Sequence, residues 1–157
     1  MTTDTFTYEA HGSRFVGRLA ALRATTARFP LSVLEFGMRL AVGATFFKSG
    51  LNKFQSFDTA ITLFREEYRL PLLPPEIAAY MGTTVELCAP VLLVLGLFAR
   101  LGAAALLAMT LTIQLLVYPE NWPEHLMWAS ILAYVLTRGP GALSFDSIVA
   151  FNLFGRA

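Results

Sequence analysis

Apolar residues run along this chain in four long stretches, each closed by proline, glycine or charge. The stretches cover roughly 31–54, 75–98, 101–118 and 121–138. A helix needs about 20 mostly apolar residues to cross a hydrocarbon core of about 30 Å, so the pattern predicts four spans. The second opens with Pro74-Pro75-Glu76, where a missing N–H costs nothing and a negative charge suits the helix dipole. A tight turn at Phe98-Ala99-Arg100 separates the second from the third. The fourth is short and stops at Arg138-Gly139-Pro140.

Two other segments are amphipathic. From 13 to 29, Phe15, Leu19 and Leu22 recur at helical spacing among Arg14, Arg18, Arg23 and Arg28, as in a helix lying in the headgroup layer. From 56 to 70, Phe57, Ile61, Phe64 and Tyr68 share one helix face, and Asp58, Arg65, Glu66 and Arg69 turn away from it. A proline-rich return, Leu70 to Pro75, then forces extended chain. The expected fold is all-α: an integral membrane four-helix bundle with amphipathic interfacial helices. Residues 1–30 form a basic N-terminal segment, 31–140 the bundle and 141–157 an interfacial tail. The first 30 residues carry no continuous apolar stretch, so the first span is expected to do the targeting.

Composition supports this reading. Only 15% of the 157 residues are charged, against about a quarter in soluble domains. A net charge of +1 gives no basic surface for nucleic acid. Cys88 is the single cysteine, which rules out an internal disulfide and a cysteine-rich metal site. No His-x-x-His or Met-x-x-x-Met pairing exists, so no metal ligands are assigned. Arg14, Arg18, Arg23, Arg28, Arg100, Arg138 and Arg156 fall on one side of the spans, and Lys53, Arg65 and Arg69 on the other. That bias places both termini in the cytoplasm. Tyr80, Tyr118, Trp122 and Trp128 then mark the outer boundary.

Charge at mid-bilayer costs about 2.5–3.5 kcal/mol on insertion scales. Glu86 lies about there, on a stripe with Ala79, Gly82, Thr83, Ala89 and Pro90 that suits close helix packing. A matching stripe on the first span holds Glu35, Arg39, Gly43, Phe46, Gly50 and Lys53. If the outer ends of the two spans are level, Glu86 falls near Ala44, within reach of Arg39 or Lys48, and Arg39 is the favoured partner because its face carries the glycines. The pair reads either as a structural ion pair or as a proton- or quinone-handling carboxylate. Lys48, Asn52, Lys53, Gln114, His125 and Tyr118 form a second polar set nearer the outer face. Donors beside aromatic walls suit a quinone headgroup, and they also suit a ring of snorkelling side chains.

With the helices placed, the chain resembles the DoxX family of bacterial membrane proteins. The resemblance rests on the run Arg39 to Phe54 (RLAVGATFFKSGLNKF) and the run Val85 to Arg100 (VELCAPVLLVLGLFAR), and it extends from Leu34 to Leu143. It implies family positions at Arg39, Lys53 and Glu86 and a bacterial inner membrane location. The Leu70–Glu76 linker resembles a subgroup found beside enzymes that modify metal-binding peptides in copper and gold stress operons. DoxX proteins are named for a membrane subunit of an archaeal thiosulfate:quinone oxidoreductase, and some assemble with superoxide dismutase and a sulfurtransferase. The resemblance implies a redox-linked, quinone-associated subunit serving a protein partner in oxidative or metal stress. The alternatives are a non-catalytic anchor or assembly factor for a soluble enzyme, and a small transporter formed by homo-oligomerisation.

Overall fold

A computed structural model of the chain describes residues 16–24, 28–71 and 73–155. The chain divides into two units, Met1–Leu31 and Ser32–Ala157. In the first, residues 16–24 form a helix with exposed side chains. The rest of the predicted basic helix, with Arg14 and Phe15, lies outside the described residues, as does Arg156.

The second unit is built from helices. Helix α1 is Leu31–Gln55, α2 Phe57–Leu63, α3 Pro75–Leu95, α4 Ala99–Leu116, α5 Trp122–Arg138 and α6 Phe145–Phe154. The predicted stripe on α1 is the face that packs, with Arg39, Val42, Gly43, Phe46, Gly50 and Lys53 buried. The predicted helix 56–70 divides at Phe64, where Phe64–Tyr68 form a wider π-helical turn that ends on Arg69 in a left-handed conformation (φ 43°). The wider turn packs the Phe64 ring where a Cβ on Gly82 would stand, 2.9 Å from Cζ. Gly82 is the residue that leaves the room.

Helix α3 ends three residues earlier than its apolar run. Gly96 adopts φ 68°, and the amides of Gly96 and Leu97 return to the carbonyls of Leu93 and Leu92. This left-handed closure satisfies carbonyls that the helix leaves unpaired. Inside α3, Pro90 has no N–H to give to the carbonyl of Glu86 four residues earlier. The last segment, expected as an interfacial tail, forms α6, capped where the Ser144 hydroxyl accepts from the Ser147 amide at 3.2 Å.

The interior mixes small residues with a few large apolar ones, and many large apolar side chains point outward. The core joins Val42, Phe46, Ala89, Leu93, Ala99, Ala103, Leu106, Leu132 and Val135, while Leu101, Leu115 and Leu126 are more than half exposed. A helix surface of large apolar side chains fits a lipid surrounding, where close backbone approach at small residues holds helices together. Helices α3 and α4 are long and apolar enough to cross a membrane. Helix α1 is long at 25 residues but carries Glu35, Arg39, Lys48 and Lys53, and α5 has 17 residues.

Glycines set the contact between α1 and α3. A Cβ on Gly43 would stand 2.6 Å from Val94 Cγ2, and one on Gly50 would stand 2.8 Å from Glu86 Cβ and 3.0 Å from its carbonyl carbon. Gly50→Val should therefore lower the melting temperature of the purified protein, at a cost of about 1–3 kcal/mol from overpacking. Gly37→Ala, at a position with open space around it, should leave the melt unchanged or raise it.

Candidate functional site

Glu86 faces α1 at the level of Gly50. Because Gly50 has no side chain, Lys53 one turn on can fold back over the carboxylate. Its ammonium donates to both Glu86 oxygens at 2.8 Å and to the Ser49 hydroxyl at 2.8 Å. Ser49 in turn donates to Glu86 Oε1 at 3.2 Å. The three ammonium protons are thus all used. Lys53 is 9% exposed and Glu86 5%, so this is a buried pair that depends on complete hydrogen bonding.

This corrects the expected partnership, since Arg39 does not meet Glu86. The level-ends assumption fails because α2 lies over the first turns of α3, with the Phe57 ring 4.5 Å from that of Tyr80. Glu86 is opposite Gly50 instead of Ala44, a slide of six residues or about 9 Å along α1. Arg39, fully buried, serves the far end of α3. Its Nη1 donates to the carbonyls of Leu93 at 3.1 Å and Val94 at 3.0 Å, and its Nη2 to that of Leu143. Helix C-termini present unpaired carbonyls and a partial negative charge, and the planar guanidinium fork can take several at once. Nearby, the Tyr134 hydroxyl donates to Glu35 at 2.8 Å, and Asp146 accepts the Phe98 and Ala99 amides at 2.8 and 2.9 Å.

Beside the Lys53–Glu86 pair lies a cavity of about 580 Å³. Phe46, Phe64, Met81, Met109, Ile113 and Trp128 supply apolar wall. The polar groups are Ser49, Lys53 and Glu86 from α1 and α3, and His125 from α5, with Tyr68, Tyr118, Asn121 and Glu124 also on the lining. His125 is 4% exposed. Its Nδ1 lies 2.7 Å from Gln114 Oε1, and the amide nitrogen of Gln114 donates to the Pro119 carbonyl at 2.9 Å. The second bond turns the Gln114 oxygen toward the ring, and an oxygen can only accept. Nδ1 therefore carries a proton, and Nε2 is the nitrogen left for a ligand. The Trp128 ring holds the imidazole from the side, 5.4 Å between centroids, and itself meets Phe46 edge-on at 5.1 Å.

The predicted polar set is therefore divided. Lys53, His125 and Tyr118 line the cavity, and Gln114 braces His125 from behind. Lys48 and Asn52 are exposed and do not line it, because they project from the other face of α1. Trp128, expected at the boundary, is cavity wall, whereas Tyr80 and Trp122 are exposed. Ser49 was not anticipated, although its place one turn before Lys53 is a readable signal. Tyr68, Asn121 and Glu124 were missed because only the fold carries their segments to the cavity. Tyr118 donates to Glu67 and meets the Tyr68 ring edge-on at 5.9 Å. Burial pushes both phenols above the usual tyrosine range; the charges of Glu86 and Glu67 add to this at Tyr68, and the bond to Glu67 adds to it at Tyr118. Among the described residues, no three His, Cys, Asp or Glu side chains are grouped to hold a metal ion.

The DoxX family model matches residues 34–119, more than half of the chain. The chain belongs to the DoxX family. DoxX is a membrane family, and the matched stretch holds Arg39, Ser49, Lys53 and Glu86; His125 lies beyond it. Comparison with curated proteins and with solved structures gave no significant match.

In this DoxX chain, removing one partner of the buried pair should strand the other. Glu86→Gln and Lys53→Met are each expected to destabilise by about 3–5 kcal/mol. The double change should recover most of that, as read by thermal unfolding in detergent; additive losses would disprove the coupling. The tyrosines give a second test. Because Tyr68 and Tyr118 hold their protons more tightly in the folded state, their stabilising contribution is complete below the free-tyrosine range, about 10, and falls as pH rises through it. Absorbance titration should show late-ionising phenols, and Tyr118→Phe should remove one of them.

Proposed function

We propose that this DoxX protein crosses the bacterial inner membrane four times, through α1, α3, α4 and α5, with both termini cytoplasmic. In this reading it binds a quinone-class lipid in the cavity beside Lys53 and Glu86. The observation that carries the proposal is the composition of that cavity. About 580 Å³ of aromatic and methionine-lined space meets a small set of fixed polar groups, the usual make-up of a site for a ring with polar edges. The arginine bias supports the orientation, and the exposed large apolar side chains of α4 and α5 support a lipid surrounding.

The donor set fits a quinone in its reduced form. Lys53 and Ser49 are committed to Glu86. His125 Nε2, with Nδ1 fixed as the protonated nitrogen, offers a lone pair to a ligand hydroxyl. A quinol has such a hydroxyl, and Nε2 would accept its hydrogen bond and be placed to receive that one proton. A bound quinone would supply two-electron chemistry at this place, and the protein side chains supply orientation and proton acceptance. Cys88 is exposed and lines a separate groove with Tyr80 and Thr83, so electrons must pass to or from a partner protein. We assign that partner to oxidative or metal stress, in keeping with the Leu70–Glu76 linker.

Purification in mild detergent followed by solvent extraction and mass spectrometry tests this. Wild-type protein should retain quinone or quinol. His125→Ala should reduce the retained amount about tenfold, as loss of one good hydrogen bond implies. Met81→Trp, which narrows the cavity at its wall, should lower retention as well. Wild-type protein that carries no quinone, or full retention by both variants, overturns the assignment.

A further inference from the structure

A second recess lies at the Arg39 end of the bundle, far along α3 from the cavity. Its lining includes Arg100, Leu101, Arg138, Gly139, Ser147 and Asp146, and its volume is about 660 Å³. Arg100 lies in the first turn of α4 and Arg138 ends α5. Both line the recess, and a Cβ on Gly139 would stand 3.6 Å from Arg100 Nη2. Among the described residues, neither guanidinium donates a hydrogen bond or joins an ion pair. Asp146, on the lining, already accepts backbone amides from Phe98 and Ala99 on both oxygens, and Glu35, beside Gly141 of the recess, accepts from the Tyr134 hydroxyl. Neither carboxylate is bonded to Arg100 or Arg138, so both guanidinium groups are left for a ligand.

Its surroundings are lipophilic. Phe98 is 66% exposed and Leu101 65%, and the outward side of α4 continues through Leu111 and Leu115. A ligand that satisfied both the arginines and this surface would carry an anionic head and long apolar chains. We propose that the recess between Arg100 and Arg138 binds the phosphate of an anionic membrane phospholipid, with its acyl chains along α4. Two guanidinium forks can grip one phosphate through paired charge-assisted hydrogen bonds, which a merely interfacial arginine does not provide. The site is separate from the quinone cavity and does not depend on that assignment.

Native mass spectrometry of the full chain in detergent, loaded with phosphatidylglycerol or phosphatidylcholine, provides the test. Phosphatidylglycerol should remain bound under conditions that strip phosphatidylcholine. Arg100→Gln with Arg138→Gln should lower its retention about tenfold or more. Arg65→Gln with Arg69→Gln, at the opposite end, should not change it. Arg100→Gln alone, with a smaller loss, serves if the double variant does not fold, and thermal unfolding checks that each variant is intact. Equal retention of the two lipids, or full retention by the Arg100 variants, overturns the proposal. If inorganic phosphate displaces the lipid at millimolar concentration, the recess is a free-phosphate site and the lipid assignment fails.

Discussion

A carboxylate placed among apolar side chains must be given partners by the protein, and Glu86 receives them from α1 alone. Lys53 and Ser49 occupy its oxygens, and they can do so because Gly50 lets the two backbones close to contact distance. Everything nearby follows from that approach. It sets the register of α1 on α3, buries the pair and turns the remaining face of the α1 stripe toward the cavity. A buried pair of this kind adds little net stability over a well-packed apolar pair, but losing half of it is costly. Its effect is to forbid other registers.

Arg39 fixes the same two helices at their other end by a different interaction. There the partner is a helix terminus: the guanidinium satisfies carbonyls of Leu93 and Val94 and ties in Leu143 ahead of α6. Two cations on one face of α1, fourteen residues apart in sequence, thus hold α3 near its middle and at its end. Both contacts place α3 against α1, and α4 and α5 complete the cavity beside them. His125 is oriented by the same economy, since one amide, Gln114, spends its nitrogen on Pro119 and its oxygen on the imidazole.

Much of this was legible in the order of the residues. The apolar runs located α1, α3, α4 and α5 within a few residues, and the spacing of Arg39, Gly43, Phe46, Gly50 and Lys53 picked out the face that packs. Glu86 stood out because a charge there has to be answered. Which cation answered it was not legible. Periodicity fixes which side of a helix is buried but says nothing about how far one helix slides along its neighbour, and six residues of slide exchanged Arg39 for Lys53. Lys48 and Asn52 were grouped with the site by depth, although the same periodicity placed them on another face.

The sequence by itself determined the helices, their apolar surfaces, the small-residue stripes and the membership in the DoxX family, because each depends on local composition or short-range spacing. The tertiary structure alone decided the pairing of Glu86, the use of Arg39 as a cap, and the meeting of Tyr68, Tyr118 and His125 at one cavity. Those depend on where α2 rests. It occupies the first turns of α3, through Phe57 on Tyr80 and Phe64 over Gly82, and a contact between residues that far apart in the chain leaves no periodic trace.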